Sequence, residues 1–212
     1  HKLQRLTPLQ IQRAYSEMLE KGRLDGKGGL SPLTVHHAHR VLFSALRQAI
    51  KWQLVTRNAA EAVVPPSPAS REISVIDNAE TGQLLKAARG TRLYAPIFVA
   101  ASTGLRRGEV LALRWSDIDF ARGRLAVQQA MEQTRAGLSF KTPKTKRSRR
   151  SVSLPSIVVE TLRAHRKEQA AERLALGLGK DERGLVFTNA LGEPVNPRAV
   201  SKEFSRIAKR SG

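Results

Sequence analysis

The sequence predicts a mainly helical protein with a small antiparallel β-sheet, divided into two domains. Three observations carry this reading. Long segments repeat their apolar residues at helical period behind clear start signals. Pro65-Pro66-Ser67-Pro68 interrupts the chain, because proline continues neither a helix nor a ladder. Three short segments of strand character, Arg124 to Ala130, Leu138 to Lys141 and Ser151 to Leu154, cluster in the second half. The domains are therefore set at residues 1–66 and 77–212, with 67–76 as the linker.

Each helix has a local reason. Thr7-Pro8 offers an N-cap followed by proline at the first helical position, so a helix is expected to about Lys21, with Leu9, Ile11, Tyr15, Met18 and Leu19 partly buried. Gly22 to Gly29 reads as a glycine-rich loop. Ser31-Pro32 repeats the start signal and opens the longest helix, to about Leu54. Its apolar stripe is Val35, Ala38, Leu42, Ala45, Leu46, Ala49 and Ile50, and the opposite face carries His37, Arg40, Ser44, Arg47 and Lys51. A short helix is expected at Ala59 to Val64. Beyond the prolines, Asp77 caps a helix through Ala88, and further helices are expected at Leu93 to Ser102, Ser156 to Leu176 and Pro197 to Arg210. Leu185 to Thr188 reads as a short extended piece.

Composition narrows the function. The 212 residues carry 37 Lys+Arg against 18 Asp+Glu, a formal charge of +19, and a globular chain this basic most often binds a polyanion, nucleic acid above all. There is no cysteine, which excludes disulfides and thiolate metal sites, and the five histidines form no convincing ligand set. Neither metal nor cofactor is expected. No apolar run approaches a membrane span and the first residues do not resemble a secretion signal, so a cytoplasmic, membrane-free protein is expected.

The most specific signal is Thr103 to Asp119, TGLRRGEVLALRWSDID. A glycine break after an apolar run delivers Arg106 to the mouth of a helix, and Glu109, three residues on, lies near enough to orient its guanidinium. These seventeen consecutive positions resemble the first arginine box of the tyrosine recombinases, the phage-integrase family of site-specific DNA recombinases. The resemblance implies that Arg106 is a catalytic residue binding the scissile phosphate and that Glu109 supports it. The order of parts is similar too. The N-terminal segment resembles the family's helical core-binding (SAM-like) domain, without its first helix, and the remainder resembles part of the α+β catalytic domain.

Lys141 to Arg150, KTPKTKRSRR, holds six basic residues in ten positions and no acid. Lying between two expected strands, it would display charge on a β-hairpin. In the family a lysine on this hairpin protonates the departing 5′ oxygen, and integrases commonly show K-T-x-x-S-x-R-x-V-x-L before the next strand. The assignment stays open among Lys141, Lys144 and Lys146, with Lys144 preferred. A lysine held among cations has its pKa lowered toward the range of a general acid. Lys141, Lys146, Arg147 and Arg149 are taken as DNA contacts, as are His37, Arg40, Ser44, Arg47 and Lys51 on the long helix.

The family also needs an H-x-x-R box and a C-terminal tyrosine nucleophile. His37-Ala38-His39-Arg40 fits the box literally but precedes Arg106, and the two tyrosines, Tyr15 and Tyr94, precede it as well. The chain is therefore expected to be a C-terminally truncated piece of an integrase, inactive alone. Its expected partner is double-stranded DNA at an attachment or recombination site. A tetramer on DNA is expected of the full-length enzyme, with a monomer open to the fragment. The alternative is a non-catalytic DNA-binding protein or regulator on the same fold.

Overall fold

Helix caps set most of the architecture. The computed structural model describes residues 3–67, 75–142, 150–179, 181 and 183–212, and the chain forms two compact units, His1–Ser74 and Val75–Gly212.

In the first unit a 3-10 turn, Leu3–Arg5, precedes α1 (Pro8–Lys21). Thr7 closes a capping box with Gln10, whose amide nitrogen donates to the Thr7 hydroxyl at 3.3 Å while the Thr7 amide donates to Gln10 Oε1 at 3.0 Å. Ser31 caps α2 (Pro32–Lys51) through the Thr34 amide. The two helices bury Ile11, Tyr15, Val35 and Leu46 against Ala59, Ala60 and Val63. Leu9 faces solvent, since Ile11 and Tyr15, one turn apart, take the inward positions. Ala45, expected in the α2 stripe, is exposed as well. The loop after α1 folds back so tightly that both the Gly22 and Leu30 amides donate to Met18 O, at 3.1 and 2.7 Å. Gly29 allows this approach, because a Cβ there would lie 1.5 Å from Leu19 O.

Two expectations are revised here. α2 stops at Lys51 rather than Leu54, because Gln53 enters the left-handed region at φ 58° and the Leu54 amide turns back to Ala49 O at 2.9 Å. Residues 59–62 form turns and 63–64 are irregular, instead of a helix over 59–64. Asn58 organises them: its Oδ1 accepts from the Ala60 amide at 3.0 Å, its side-chain nitrogen donates to Phe43 O at 3.3 Å, and its carbonyl accepts from the Glu61 amide at 3.1 Å.

The second unit begins with α3 (Asn78–Ala88), capped reciprocally by Asp77 and Glu80, and α4 (Tyr94–Thr103), which ends at Gly104 with φ 64°. Then come α5 (Arg107–Leu111), β1 (Ile118–Asp119), β2 (Arg124–Ala126), β3 (Ala130–Thr134), β4 (Gly137–Lys141), β5 (Ser151–Ser153), α6 (Ser156–Ala175) and α7 (Pro197–Ser211). The sheet is split. β1, β2 and β5 form one antiparallel sheet in that order, and β3 and β4 form a separate hairpin. The single strand expected over 124–130 thus breaks at Val127–Gln129, where the Val127 amide donates to Arg150 O and Gln129 Nε2 to Ala112 O. Residues 185–188 make only isolated bridges, Leu185 to Arg114 and Thr188 to Pro194.

The main core of this unit gathers Val99, Leu105, Val110, Leu125, Val158, Leu162 and Val186 around the three-stranded sheet. A polar strut crosses it. Gln169, buried in α6, accepts from Trp115 Nε1 at 2.8 Å and donates to the Leu185 and Val186 carbonyls and to the Thr188 hydroxyl. Among the described residues no helix is long and apolar enough to cross a membrane.

Candidate functional site

The site is built at the α4–α5 break. Gly104 takes the left-handed turn that ends α4, and the next residue, Leu105, is buried in the core. That anchor fixes Arg106, whose extended backbone (φ −68°, ψ 149°) makes it the residue before the first turn of α5. Its amide donates to Glu109 Oε2 at 2.8 Å, and one terminal guanidinium nitrogen donates to Glu109 Oε1 at 3.2 Å. The Arg106 side chain nevertheless stays 79% exposed while that of Glu109 is 7% exposed. Among the described residues, Arg106 Nε and its second terminal nitrogen have no partner, so donors aim outward from a buried carboxylate.

Glu109 is held from the other side by Arg150. The two terminal nitrogens of Arg150 donate one to each carboxylate oxygen, at 3.0 and 2.9 Å. Burial pushes the Glu109 carboxyl upward, but the Arg150 hydrogen bonds, the Arg106 amide, the Arg150 charge and the Arg106 side chain together outweigh it. The net effect holds Glu109 below the usual glutamate range. The same pairing raises Arg150. A fork-to-fork arginine–carboxylate pair is the strong, directional form of this contact.

Two close approaches brace the site. Gly108 lies against the hairpin, since a Cβ at that position would come within 2.6 Å of Met131 O. The guanidinium of Arg107 donates to the Ser201 hydroxyl, tying α5 to α7.

The other expected residues distribute as follows. His37, Arg40, Ser44, Arg47 and Lys51 are all exposed on α2, in the first unit, sharing that face with Val41. In the H-x-x-R look-alike, His39 turns inward to the Tyr15 hydroxyl at 3.2 Å, and burial followed by the His36 charge lowers its pKa. Lys141 is bound to Glu132 at 2.5 Å. Lys144, Lys146, Arg147 and Arg149 lie outside the described residues. Among the described residues β4 pairs with β3 and β5 with β2, so the two strands that flank the run do not pair with each other as the arms of one hairpin. Alternating residues identify strands but not partners.

The sequence reading missed Arg150 as the partner of Glu109. A signal existed. Aligned without a gap, K-T-x-x-S-x-R-x-V-x-L runs from Lys144 to Leu154, and its arginine is Arg150. The reading placed the α7 helix but assigned no DNA contact to it, although Arg198, Lys202, Ser205 and Lys209 form an exposed stripe at helical spacing opposite the buried Ile207.

The family model described as the phage integrase family matches residues 74–212, the whole of this site included. The chain belongs to that family. It is 31% identical over 229 residues to a tyrosine recombinase XerC-like protein of Caldanaerobacter subterraneus subsp. tengcongensis, an alignment covering 100% of this chain and 57% of that protein. The fold is similar to the Tn1549 transposon integrase in complex with transposon right end DNA, with a TM-score of 0.80 and 20% identity over 98% of this chain and 65% of that one. It is also similar to a lambda integrase tetramer bound to a Holliday junction, with a TM-score of 0.60 and 22% identity over 99% and 54%. The chain spans about half to three-fifths of the length of the curated relatives it matches first, at 57%, 47% and 59%.

Proposed function

We propose that these 212 residues are the DNA-clamping and phosphate-activating portion of an integrase that cleaves and rejoins duplex DNA through a 3′-phosphotyrosine intermediate. The observation that carries this is Arg106, exposed yet fixed by a buried Glu109. A preorganised guanidinium at a helix mouth suits the negative charge that concentrates on a phosphate in the transition state. Glu109 orients it. A lysine of the basic run, Lys144 by preference, then protonates the departing 5′ oxygen. Lys141 suits that role less, because its ammonium is engaged by Glu132.

DNA affinity comes from elsewhere. The exposed basic faces of α2 and α7 and the basic run as far as Arg149 supply phosphate contacts, consistent with a formal charge of +19. By likeness to the lambda integrase on its junction, four copies assemble on DNA during strand exchange, in the bacterial cytoplasm.

The covalent step calls for a tyrosine other than the two here. Tyr15 is buried in the first unit with its hydroxyl on His39, and Tyr94 opens α4, stacked on Phe98. This favours, for the 212 residues alone, binding without cleavage. A nicked suicide substrate tests both parts. A recombinase containing these residues and a nucleophilic tyrosine should trap a covalent DNA adduct, and its Arg106→Ala variant should not. The 212-residue chain should bind the duplex and yield no adduct. An adduct from the chain itself, or an undiminished one from the alanine variant, would refute the assignment.

A further inference from the structure

We infer that Arg150 is a positioning residue that keeps Arg106 available to the phosphate by taking the charge of Glu109 for itself. This rests on the reading of Arg106 given above and deepens it. The geometry shows an unequal division of one carboxylate. Arg150 holds both oxygens with two terminal nitrogens, at 3.0 and 2.9 Å, whereas the Arg106 side chain reaches one oxygen with one nitrogen at 3.2 Å. The exposures match the division, 31% for the Arg150 side chain and 79% for Arg106. Arg150 is the inner cation and Arg106 the outer one.

The charge balance explains why both are present. A carboxylate as buried as Glu109 demands compensation. With Arg150 in place that demand is met from behind, and Arg106 contributes its amide and one donor while its remaining donors face outward. Without Arg150, the nearest cation able to satisfy Glu109 is Arg106, which would fold inward to a two-point grip. The guanidinium would then meet the phosphate from a displaced position, and a misplacement of about 1 Å costs on the order of 10²-fold in rate.

Placement adds a second consequence. Arg150 is the last residue of the basic run, and its carbonyl accepts from the Val127 amide at 2.8 Å. Glu109 therefore joins the arginine box to the strand that anchors the run carrying the candidate lysine. That backbone bond, and the pairing of β5 with β2, do not depend on the Arg150 side chain, so its removal leaves the strand held.

A double-mutant cycle on the nicked substrate, in a recombinase containing these residues and a nucleophilic tyrosine, decides the matter. Arg150→Ala should slow cleavage about 10²-fold with DNA affinity nearly unchanged. In a Glu109→Gln background the same substitution should cost less than about threefold, because no carboxylate remains to capture Arg106. Arg150→Lys, which keeps the charge but gives a single-point contact, should fall between wild type and alanine. If the alanine variant does not fold, the lysine variant is carried through the same cycle. Rate penalties that multiply in the double variant, or an Arg150→Ala enzyme at the wild-type rate, would overturn the proposal. Failure of the wild-type protein to form any adduct would instead reject the recombinase reading beneath it.

Discussion

Replacing Gly108 with alanine probes how closely the arginine box is pressed onto the β3–β4 hairpin. In an open helix the change would help, since glycine costs about 0.5–1 kcal/mol relative to alanine. Here the new methyl would meet Met131 O at 2.6 Å, and that oxygen belongs to a paired strand whose Met131 lies opposite Phe140. The obstacle is backbone, which cannot rotate aside as a side chain would. Overpacking of this kind costs about 1–3 kcal/mol, leaving a net loss of roughly 1–2 kcal/mol after the helix gain. Thermal unfolding should show the second unit melting about 2–8 °C lower. Gly82, in α3, is the internal control, because nothing lies within 4 Å of a Cβ built there. Gly82→Ala should stabilise by about 0.5–1 kcal/mol. The two substitutions must move Tm in opposite directions. Equal or raised stability in Gly108→Ala would refute the close-approach argument. Since α5 carries Glu109 and begins next to Arg106, the same variant should also lose cleavage rate in a recombinase that cuts DNA.

Three further outcomes are expected. Replacing Arg40, Arg47 and Lys51 together with alanine should weaken duplex binding and flatten its salt dependence by roughly 0.9 of a log–log unit for each phosphate no longer neutralised, and an unchanged slope would remove α2 from the interface. Glu109 has its folded pKa depressed, so its stabilising contribution is present at neutral pH and is lost as pH falls from the ordinary glutamate range through the lower folded value. Acid titration of Glu109→Gln should show less loss of stability across that window than wild type, and identical curves would count against it. Gln169→Leu should destabilise the second unit by about 1–3 kcal/mol, because the Trp115 indole N–H and the Leu185 carbonyl lose their partner, while the Val186 carbonyl keeps only its contact with His165 Nε2; a neutral result by denaturant unfolding would dismiss Gln169 as a strut.

Local chemistry made much of this molecule legible. Thr7, Ser31 and Asp77 announce helices because a cap is written in adjacent residues, and Gly104-Leu105-Arg106 announces the box because glycine is needed where the chain reverses hand. Long-range choices were less legible. Alternation over 124–130 could not reveal that Ala126 and Ala130 belong to different sheets, since strand pairing depends on distant partners. Asn58 as a turn organiser competes with the helical pattern of 59–64 through hydrogen bonds that propensity does not register. Arg150 was hidden by its neighbours. In a run of cations, nothing local distinguishes the one whose side chain turns inward to a buried carboxylate forty-one residues earlier.

The central claim is that Arg106 acts on the phosphate during chemistry and contributes little to holding DNA. It is tested most directly by measuring, on one suicide substrate, both the dissociation constant and the single-turnover cleavage rate of Arg106→Ala in a recombinase containing these residues and a nucleophilic tyrosine. The structure predicts a rate lower by about 10²–10³-fold or more with affinity within a few-fold of wild type, since binding keeps its many other phosphate partners while the transition state is deprived of a preorganised donor. An affinity loss as large as the rate loss, or a cleavage rate left intact, would contradict it.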